Sequence, residues 1–159
     1  MSDTRNAERG DVDLSPLVFT VTVELSVDAA FMLFTDKIGT WWPKATHSIG
    51  EDRSADVIFD GREGGRLFER LDDGTEHAWG EVLAWEPPER FVITWHPSVE
   101  PIAMTEVEVT FTAIDASSTT VQLTHRDWQK LGDVAAVTRQ GYSVGWVGVL
   151  DLYTGARRP

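Results

Sequence analysis

Glu69 is the first candidate in the sequence for acid–base chemistry. It lies between Leu67 and Leu71 in a short alternating segment, so a strand that turns these leucines inward also turns the carboxyl group inward. An inward carboxylate is costly unless it is paired. The side chain is therefore a polar anchor or acid–base group in a cavity, the partner of a neighbouring arginine, or exposed by a shifted register. The last two alternatives are favoured.

His125 is the second candidate, because alternation in the last predicted strand places it on the inner face with Leu123. A single histidine on an apolar face is more often a hydrogen-bonded core residue than a catalyst, and we expect the core role here. His47, His77 and His96 fall in loops or at strand ends. No pair of histidines has the spacing of a metal site, so no metal is predicted.

Several kinds of active site have no counterpart in the sequence. There are no cysteines, which excludes thiolate nucleophiles, thiolate metal sites and disulfides. There is no G-x-S-x-G elbow, and the GREGG segment at 61–65 lacks the Lys–Ser/Thr pair of a phosphate loop. Any catalysis would rest on Glu69, His77, His125 and Arg66 as acid–base or orienting groups. We assign no catalytic residue, no metal and no cofactor, and favour a non-catalytic role.

The sequence contains seven tryptophans, and large rings beyond the needs of packing tend to line cavities or interfaces. Adjacent helical residues point about 100° apart, so of Trp41 and Trp42 we expect one to pack inside and the other to reach a cavity mouth. The predicted ligand-contacting set combines aromatic rings with the two inward polar side chains. It comprises Phe34, Trp41, Trp42, Glu69, Trp79, Trp95, His125, Tyr142 and Trp146.

Alternating apolar and polar residues predict an antiparallel sheet of about six to seven strands. The segments are 17–25, 55–59, 66–71, 76–85, 90–95, 105–114 and 119–125. Residues 27–42 have helical spacing, with Ser26 as the expected N-cap residue and Gly39 as a break, which predicts two short helices after the first strand. A sheet with one apolar face must be covered by another element.

The covering element is predicted near the C-terminus, around the apolar segment Gly141–Tyr153. Extended backwards, its pattern indicates one long helix over 133–156, with Asp133 as N-cap and 127–133 as the loop before it. The helix is apolar on two stripes. Its glycines at 141, 145 and 148 cost roughly 1 kcal/mol each relative to alanine, so we expect a close approach of the sheet or the short helices there.

Length and charge restrict the class of protein. A chain of 159 residues fits one domain, which we place at 15–159 after a flexible lead-in at 1–14. The net charge of −12 makes nucleic acids and anionic membrane surfaces poor partners. The start of the chain lacks the apolar region of a secretory signal, and we expect a cytoplasmic protein. The oligomeric state is left open, with a homodimer among the alternatives.

Several short motifs, taken in order, resemble the START-like helix-grip (SRPBCC) superfamily. They are Trp-Trp-Pro at 41–43, Gly-Gly-Arg at 64–66, Pro-Pro-Glu-Arg at 87–90, Thr-Trp at 94–95, Leu-Thr-His at 123–125 and Gly-Trp at 145–146. Within it the chain is similar to the branch of activators of the heat-shock-protein-90 ATPase. A sub-pattern that adds Glu69, 73–80 and 105–111 resembles the calicheamicin self-resistance type of that branch. The resemblance implies an α+β fold, a curved antiparallel sheet around a C-terminal helix, with an internal cavity for apolar ligands.

Four functions are compatible with this sequence. The first is binding of a small hydrophobic ligand, such as a lipid, steroid or polyketide, between the sheet and the C-terminal helix. The second is an enzyme of the polyketide cyclase or hydrolase type that uses Glu69 and His125. The others are antibiotic self-resistance by binding an enediyne-like compound, and a role as chaperone ATPase co-factor. We rank them in this order.

Overall fold

A seven-stranded antiparallel sheet curls around a long C-terminal helix in the computed structural model, which describes residues 12–96 and 104–156. The helices are α1 (Val27–Phe34) and α2 (Ala135–Gly155). The strands are β1 (Leu17–Val23), β2 (Ser54–Phe59), β3 (Arg66–Leu71), β4 (Glu76–Glu86), β5 (Arg90–Trp95), β6 (Thr105–Asp115) and β7 (Ser118–Arg126). The predicted α+β helix-grip architecture is confirmed.

The sheet has the strand order β1-β7-β6-β5-β4-β3-β2. Strands β2 to β7 form a meander, and only β1 pairs out of sequence, with β7. This register places His125 between Leu17 of β1 and Val107 of β6. Towards the other edge of the sheet, Glu69 of β3 lies between Val57 of β2 and His77 of β4. Both candidate polar residues are therefore held between paired strands, Glu69 in the middle of β3 and His125 near the end of β7.

The two short helices predicted after β1 are present as α1 and a single 3-10 turn at Ile38–Thr40. Ser26 caps α1 as predicted, since its hydroxyl accepts the amide of Ala29 at 3.2 Å. The turn brings Trp41 and Trp42 under the concave face of the sheet, where both are buried. A second 3-10 turn, Glu51–Arg53, leads into β2.

The start of α2 differs from the prediction. The segment Trp128–Val134, predicted as a loop, is 3-10 helical, and Gly132 breaks it with φ +60°. Asp133 is not the N-cap: Val134 takes that position, and no side chain caps the helix. The 3-10 segment directly before α2 leads the backbone into the helix, and the first helical turn forms without a hydrogen bond from an Asp133 side-chain oxygen. Of the predicted lead-in, 1–11 lies outside the described residues, and Asp13 contacts Arg139 of α2 at 3.5 Å.

Only one of the two apolar stripes of α2 faces the sheet. Trp146, Leu150 and Tyr153 are buried, whereas Val137 and Val144 are 70% and 69% exposed. The expected close approach of the sheet or the short helices is wrong at all three glycines. At Gly145 a Cβ would meet only Nε2 of His47, at an ordinary contact distance of 3.8 Å. A Cβ added at Gly141 or Gly148 would meet nothing within 4 Å, because both lie on the exposed stripe.

Aromatic rings fill the middle of the space between the sheet and α2. Phe34 packs edge-on against Trp41 at 5.3 Å between ring centroids and against Tyr153 at 4.8 Å. The Tyr153 hydroxyl donates to the carbonyl of Ala30 at 2.8 Å, which ties α2 to α1. Burial raises the pKa of Tyr153 well above its usual value, so this bond persists at any physiological pH. A pocket remains beside the middle of the helix, at 142–149, and does not extend along its whole length.

Candidate functional site

A half-open pocket of about 230 Å³ lies between the loop at 43–50, the end of β5 and the middle of α2. Ligand pockets in proteins usually span roughly 300–1,000 Å³, so this one is small. The lining residues are Trp42, Thr46, His47, Ser48, Trp95, Tyr142, Gly145, Trp146 and Val149. One wall is therefore aromatic and buried, and the opposite wall is a polar loop.

Three indole rings form the aromatic wall. Trp95 and Trp146 lie 5.2 Å apart between ring centroids, and Trp42 contacts them at 5.9 and 6.0 Å. The rings are mutually tilted, which is the favoured arrangement for aromatic pairs. Such a wall presents both ring faces and ring edges to whatever enters the pocket.

Tyr142 supplies the polar group on this wall. Its hydroxyl oxygen accepts a hydrogen bond from the indole nitrogen of Trp95 at 3.0 Å. Burial raises the pKa of Tyr142, so the phenol stays protonated near neutral pH. Because the oxygen already accepts from Trp95, its own proton is available to donate to a bound molecule.

His125 lies behind the wall, fully buried, and both of its ring nitrogens have partners. Trp146 donates its indole N–H to Nδ1 at 3.0 Å, so the imidazole proton is on Nε2, which faces the Thr105 hydroxyl at 2.7 Å. The Thr105 hydroxyl in turn donates to the carbonyl of Trp95 at 3.3 Å. Burial lowers the pKa of His125 to about 3, so it is neutral in the native protein at pH 7. Its ring orients the indole of Trp146, and through Thr105 it is joined to the backbone of Trp95.

Glu69 also lies behind the pocket and is fully buried. It accepts the backbone N–H groups of Ile49 and Gly50 at 2.6 and 3.0 Å, and the indole N–H of Trp79 at 2.8 Å. The carboxylate faces inward, so the shifted-register alternative is wrong. Its partners are amide and indole donors, not the arginine of the favoured salt bridge.

The loop wall is held by its own hydrogen bonds as well. The indole N–H of Trp42 donates to the carbonyl of His47 at 2.8 Å, and the amide of His47 donates to the carbonyl of Pro43 at 2.9 Å. The exposed imidazole of His47 is within 2.7 Å of the Thr46 hydroxyl through Nδ1. Its Nε2 lies over Gly145 of α2, 3.8 Å from where a Cβ would be.

The family model for activator of Hsp90 ATPase homolog 1-like proteins matches residues 24–151 of the chain. The chain belongs to this family. No curated protein matched it at a significant level. The predicted family resemblance is thereby confirmed.

Several solved structures share the fold. The anthrahydroquino-gamma-pyrone synthase Txn09 is 30% identical with a TM-score of 0.64, over 91% of this chain and 98% of that one. The self-sacrificing resistance protein CalC of Micromonospora echinospora is 27% identical with a TM-score of 0.70, over 89% and 92%. The di-domain ARO/CYC protein BexL, at 15% identity and a TM-score of 0.59 over 89% and 45%, shares the fold alone.

Among the residues predicted for the site of this family member, four line the pocket. They are Trp42, Trp95, Tyr142 and Trp146. Phe34 and Trp41 pack in the middle of the core, so of the two adjacent tryptophans Trp42 is the one at the pocket. Trp79 and His125 lie one layer further back and contact the lining through ring packing and a hydrogen bond. Glu69 contacts Trp79 and the backbone of Ile49, directly after the lining residue Ser48.

The sequence interpretation missed the polar half of the pocket. Thr46, His47 and Ser48 were placed in a loop without periodicity, and Gly145 was expected to face the sheet. The one available signal for this half was Gly145. A glycine lowers the stability of a helix, and a packed core gives no reason for one at this position.

Two further observations restrict the chemistry. In the described ranges 12–96 and 104–156, no group of three or more His, Asp or Glu side chains is arranged to hold a metal ion. Among the helices of those ranges, none is long and apolar enough to cross a membrane.

Proposed function

We propose that the chain binds a planar, largely apolar aromatic molecule of polyketide type in the pocket between Trp42, Trp95, Trp146 and the loop at 46–48. The single observation that carries the proposal is the combination of three tilted indoles with one phenol whose proton is unused. A fused ring system stacks on such a wall, and a carbonyl or phenolic oxygen at its edge accepts the Tyr142 proton.

The half-open shape of the pocket supports a planar ligand over a long flexible one. The middle of the fold is filled by rings, so an extended acyl chain has no channel between the sheet and α2. A flat molecule can insert one edge into a pocket of about 230 Å³ and leave the other edge at the mouth, beside the exposed His47. The family to which the chain belongs generally binds small hydrophobic molecules.

The two relatives above 25% identity also support this ligand class. One is described as a synthase of an anthrahydroquino-gamma-pyrone, a fused aromatic product, and the other as a self-sacrificing resistance protein. Neither description assigns an activity to this chain. The first description supports a pocket of this fold that accepts a fused aromatic molecule, and the second names no ligand.

The proposal is tested by titrating the protein with 1,8-dihydroxyanthraquinone, oleate and a steroid, with tryptophan fluorescence and amide NMR shifts as readouts. The anthraquinone should quench fluorescence and shift the amides of 46–48 and 142–149. Tyr142→Phe should weaken its binding about 3- to 10-fold, the value of one hydrogen bond. Val144→Ala, on the exposed stripe of α2, is the matched control and should leave the affinity unchanged. Absence of shifts at these amides would overturn the proposal.

A second candidate function, proton-transfer catalysis, is favoured by the position of His47. Its imidazole lines the same pocket as Tyr142, and Thr46 holds Nδ1. In the tautomer with the proton on Nδ1, the Nε2 lone pair can accept a proton from a C–H beside a ligand carbonyl, while Tyr142 donates a hydrogen bond to the resulting enolate oxygen. Return of the proton to carbon completes an isomerisation without any external reagent.

Deuterium exchange tests this candidate. The C2 hydrogens of 1-tetralone exchange slowly in neutral D2O, so an increased rate with the protein reports proton abstraction in the pocket. His47→Gln should remove most of the increase and leave 1-tetralone affinity within about twofold, since an acid–base group typically contributes 10²–10⁴-fold in rate. An unchanged rate in His47→Gln, or no increase with the wild-type protein, would eliminate this function and leave the binding proposal standing.

A further inference from the structure

We infer that Glu69 is a positioning residue for the pocket. Its buried carboxylate sets how far the loop at 44–50 lies from the sheet, and therefore sets the distance between the loop wall and the aromatic wall. Glu69 itself is not among the lining residues. The inference rests on the proposed binding function, since the walls matter only if a ligand lies between them.

The contacts of Glu69 connect three parts of the site. One oxygen accepts the amide of Ile49 at 2.6 Å and the indole N–H of Trp79 at 2.8 Å, and the other accepts the amide of Gly50 at 3.0 Å. The side chain is 0% exposed, so water cannot replace any of these donors. Hydrogen bonds to an ionised acceptor are about twice as strong as neutral ones. The carboxylate therefore restrains the loop from inside the fold.

The internal hydrogen bonds of the loop do not perform this task. Trp42 to His47 and His47 to Pro43 fix the shape of the turn that carries the lining residues. Lys44 donates to the carbonyl of Gly39 at 2.6 Å, which ties the beginning of the loop to the preceding 3-10 turn. Glu69 binds the other end, directly after the lining residue Ser48, and joins it to the centre of β3.

Gly50 provides independent support for a close approach at this point. A Cβ on Gly50 would lie 2.1 Å from Cδ2 of Leu71 and 3.3 Å from Oε2 of Glu69. The backbone φ of Gly50 is −85°, a value that any residue adopts, so the glycine is required by space and not by conformation. A side chain at this position would force either the end of Leu71 or the loop backbone to move.

The same carboxylate also orients the layer behind the aromatic wall. Trp79, held by its indole N–H, packs on Trp42 at 5.2 Å and on Trp95 at 5.9 Å between ring centroids. Both of these rings line the pocket. Glu69 is thus joined to the loop wall through backbone amides and to the aromatic wall through one indole, and a change at Glu69 should alter the spacing of the two walls.

The experiment combines affinity with amide hydrogen exchange in the full-length protein. Glu69→Gln keeps the size of the side chain, but its NH2 group cannot accept from Gly50. Exchange at Ile49 and Gly50 should accelerate at least 10-fold, while amides in β6 and β7 change less than twofold. Affinity for 1,8-dihydroxyanthraquinone should fall at least 5-fold.

Two variants separate loop positioning from general stability. Trp79→Phe removes the indole bond and part of a buried ring but leaves both backbone hydrogen bonds of Glu69, so the exchange of Ile49 and Gly50 should stay within about twofold of wild type. Gly50→Ala displaces the loop without changing the carboxylate, and should weaken binding in the same way as Glu69→Gln even if the latter folds poorly. If the wild-type protein binds the probe and both Glu69→Gln and Gly50→Ala bind it equally well, this inference is wrong. If the wild-type protein does not bind the probe, the proposed function itself fails.

Discussion

His125 shows how a titratable side chain can be wholly structural. Its Nδ1 accepts from Trp146 and its Nε2 proton points to Thr105, which leaves no lone pair for a substrate. A charged imidazole would carry a second proton on Nδ1, which faces the indole N–H of Trp146 and not an acceptor. The ring is fully buried, so this proton would be left without a hydrogen bond. The buried environment therefore keeps the ring neutral and uses it to set the orientation of an indole in the pocket wall.

The protonation of His125 should make stability depend on pH. Burial lowers its pKa from 6.5 to about 3 in the native protein, whereas in the unfolded chain it keeps the ordinary value. Between these two values the unfolded state binds one more proton, so the free energy of unfolding falls as the pH falls from about 6.5 towards 3. The contribution is at most about 1.4 kcal/mol per pH unit. Chemical denaturation at several pH values measures it.

His125→Gln is the matched variant, because an amide can accept from Trp146 and donate to Thr105 without titrating. Between pH 7 and 5 the wild-type protein should lose more stability than the variant. Carboxylates with lowered pKa, such as Glu108 beneath its two arginines, affect both proteins equally and mainly at lower pH. Parallel stability curves for the two proteins would show that His125 is charged in the native state.

At the scale of secondary-structure elements, α2 performs two tasks with its two faces. The inner face carries Tyr142, Trp146 and Val149 into the pocket, and Leu150 and Tyr153 into the core. The outer face carries Val137 and Val144 into solvent. Gly145 lies between these faces, at the position where His47 of the loop meets the helix.

Alanine at Gly145 and at Gly148 should have the same effect on stability, but only the substitution at Gly145 should weaken binding. Each substitution should stabilise the helix by up to about 1 kcal/mol, because glycine is the weaker helix former. At Gly145 the new methyl group would lie 3.8 Å from Nε2 of His47, in the pocket. At Gly148 it would meet nothing within 4 Å. Thermal unfolding and anthraquinone titration of both variants measure the two effects.

Gly145→Ala should therefore bind the anthraquinone several-fold more weakly than wild type, with a melting temperature as high as that of Gly148→Ala. Equal binding by the two variants would mean that the ligand does not reach the helix at this turn. A lower melting temperature for Gly145→Ala alone would mean that the contact with His47 is tighter than an ordinary van der Waals contact.

At the scale of the whole molecule, acidic residues dominate the electrostatics. The chain has 26 acidic and 14 basic side chains, which gives the net charge of −12. Part of this charge is organised on the sheet, where Glu108 accepts from both Arg90 and Arg126, and Arg126 also contacts Glu106 at 3.2 Å. The acidic excess remains and repels itself in the folded state.

Salt should therefore stabilise the protein. Raising NaCl from 10 mM to 150 mM shortens the Debye length from about 30 Å to about 8 Å and screens the repulsion, with an expected rise in melting temperature of ~2–5 °C. Exposed ion pairs such as Arg53–Asp73 weaken at the same time, but pairs in full contact with solvent contribute little to stability. Differential scanning fluorimetry measures the net effect, and KCl at equal ionic strength is the control. A fall in melting temperature would mean that the ion pairs outweigh the repulsion.

The sequence predicted most of the architecture, because the elements depend on local periodicity. Alternation identified all seven strands, and Ser26 marked the start of α1. Prediction from the sequence failed for the orientation of α2, where two local interpretations were equally good. Both stripes of α2 are apolar, and only packing against the sheet decides that Tyr142, Trp146 and Tyr153 face inward while Val144 faces solvent.

The sequence by itself determined the helix-grip fold, the family, the absence of cysteine chemistry and the aromatic half of the pocket. These follow from composition, from residue spacing within single elements and from the order of short motifs. The tertiary structure alone decided the polar half. Glu69 meets amides 20 and 19 residues before it, at Ile49 and Gly50, and the loop that it holds brings His47 over Gly145. Such contacts depend on how the sheet curls and how closely a loop without a periodic pattern can approach it.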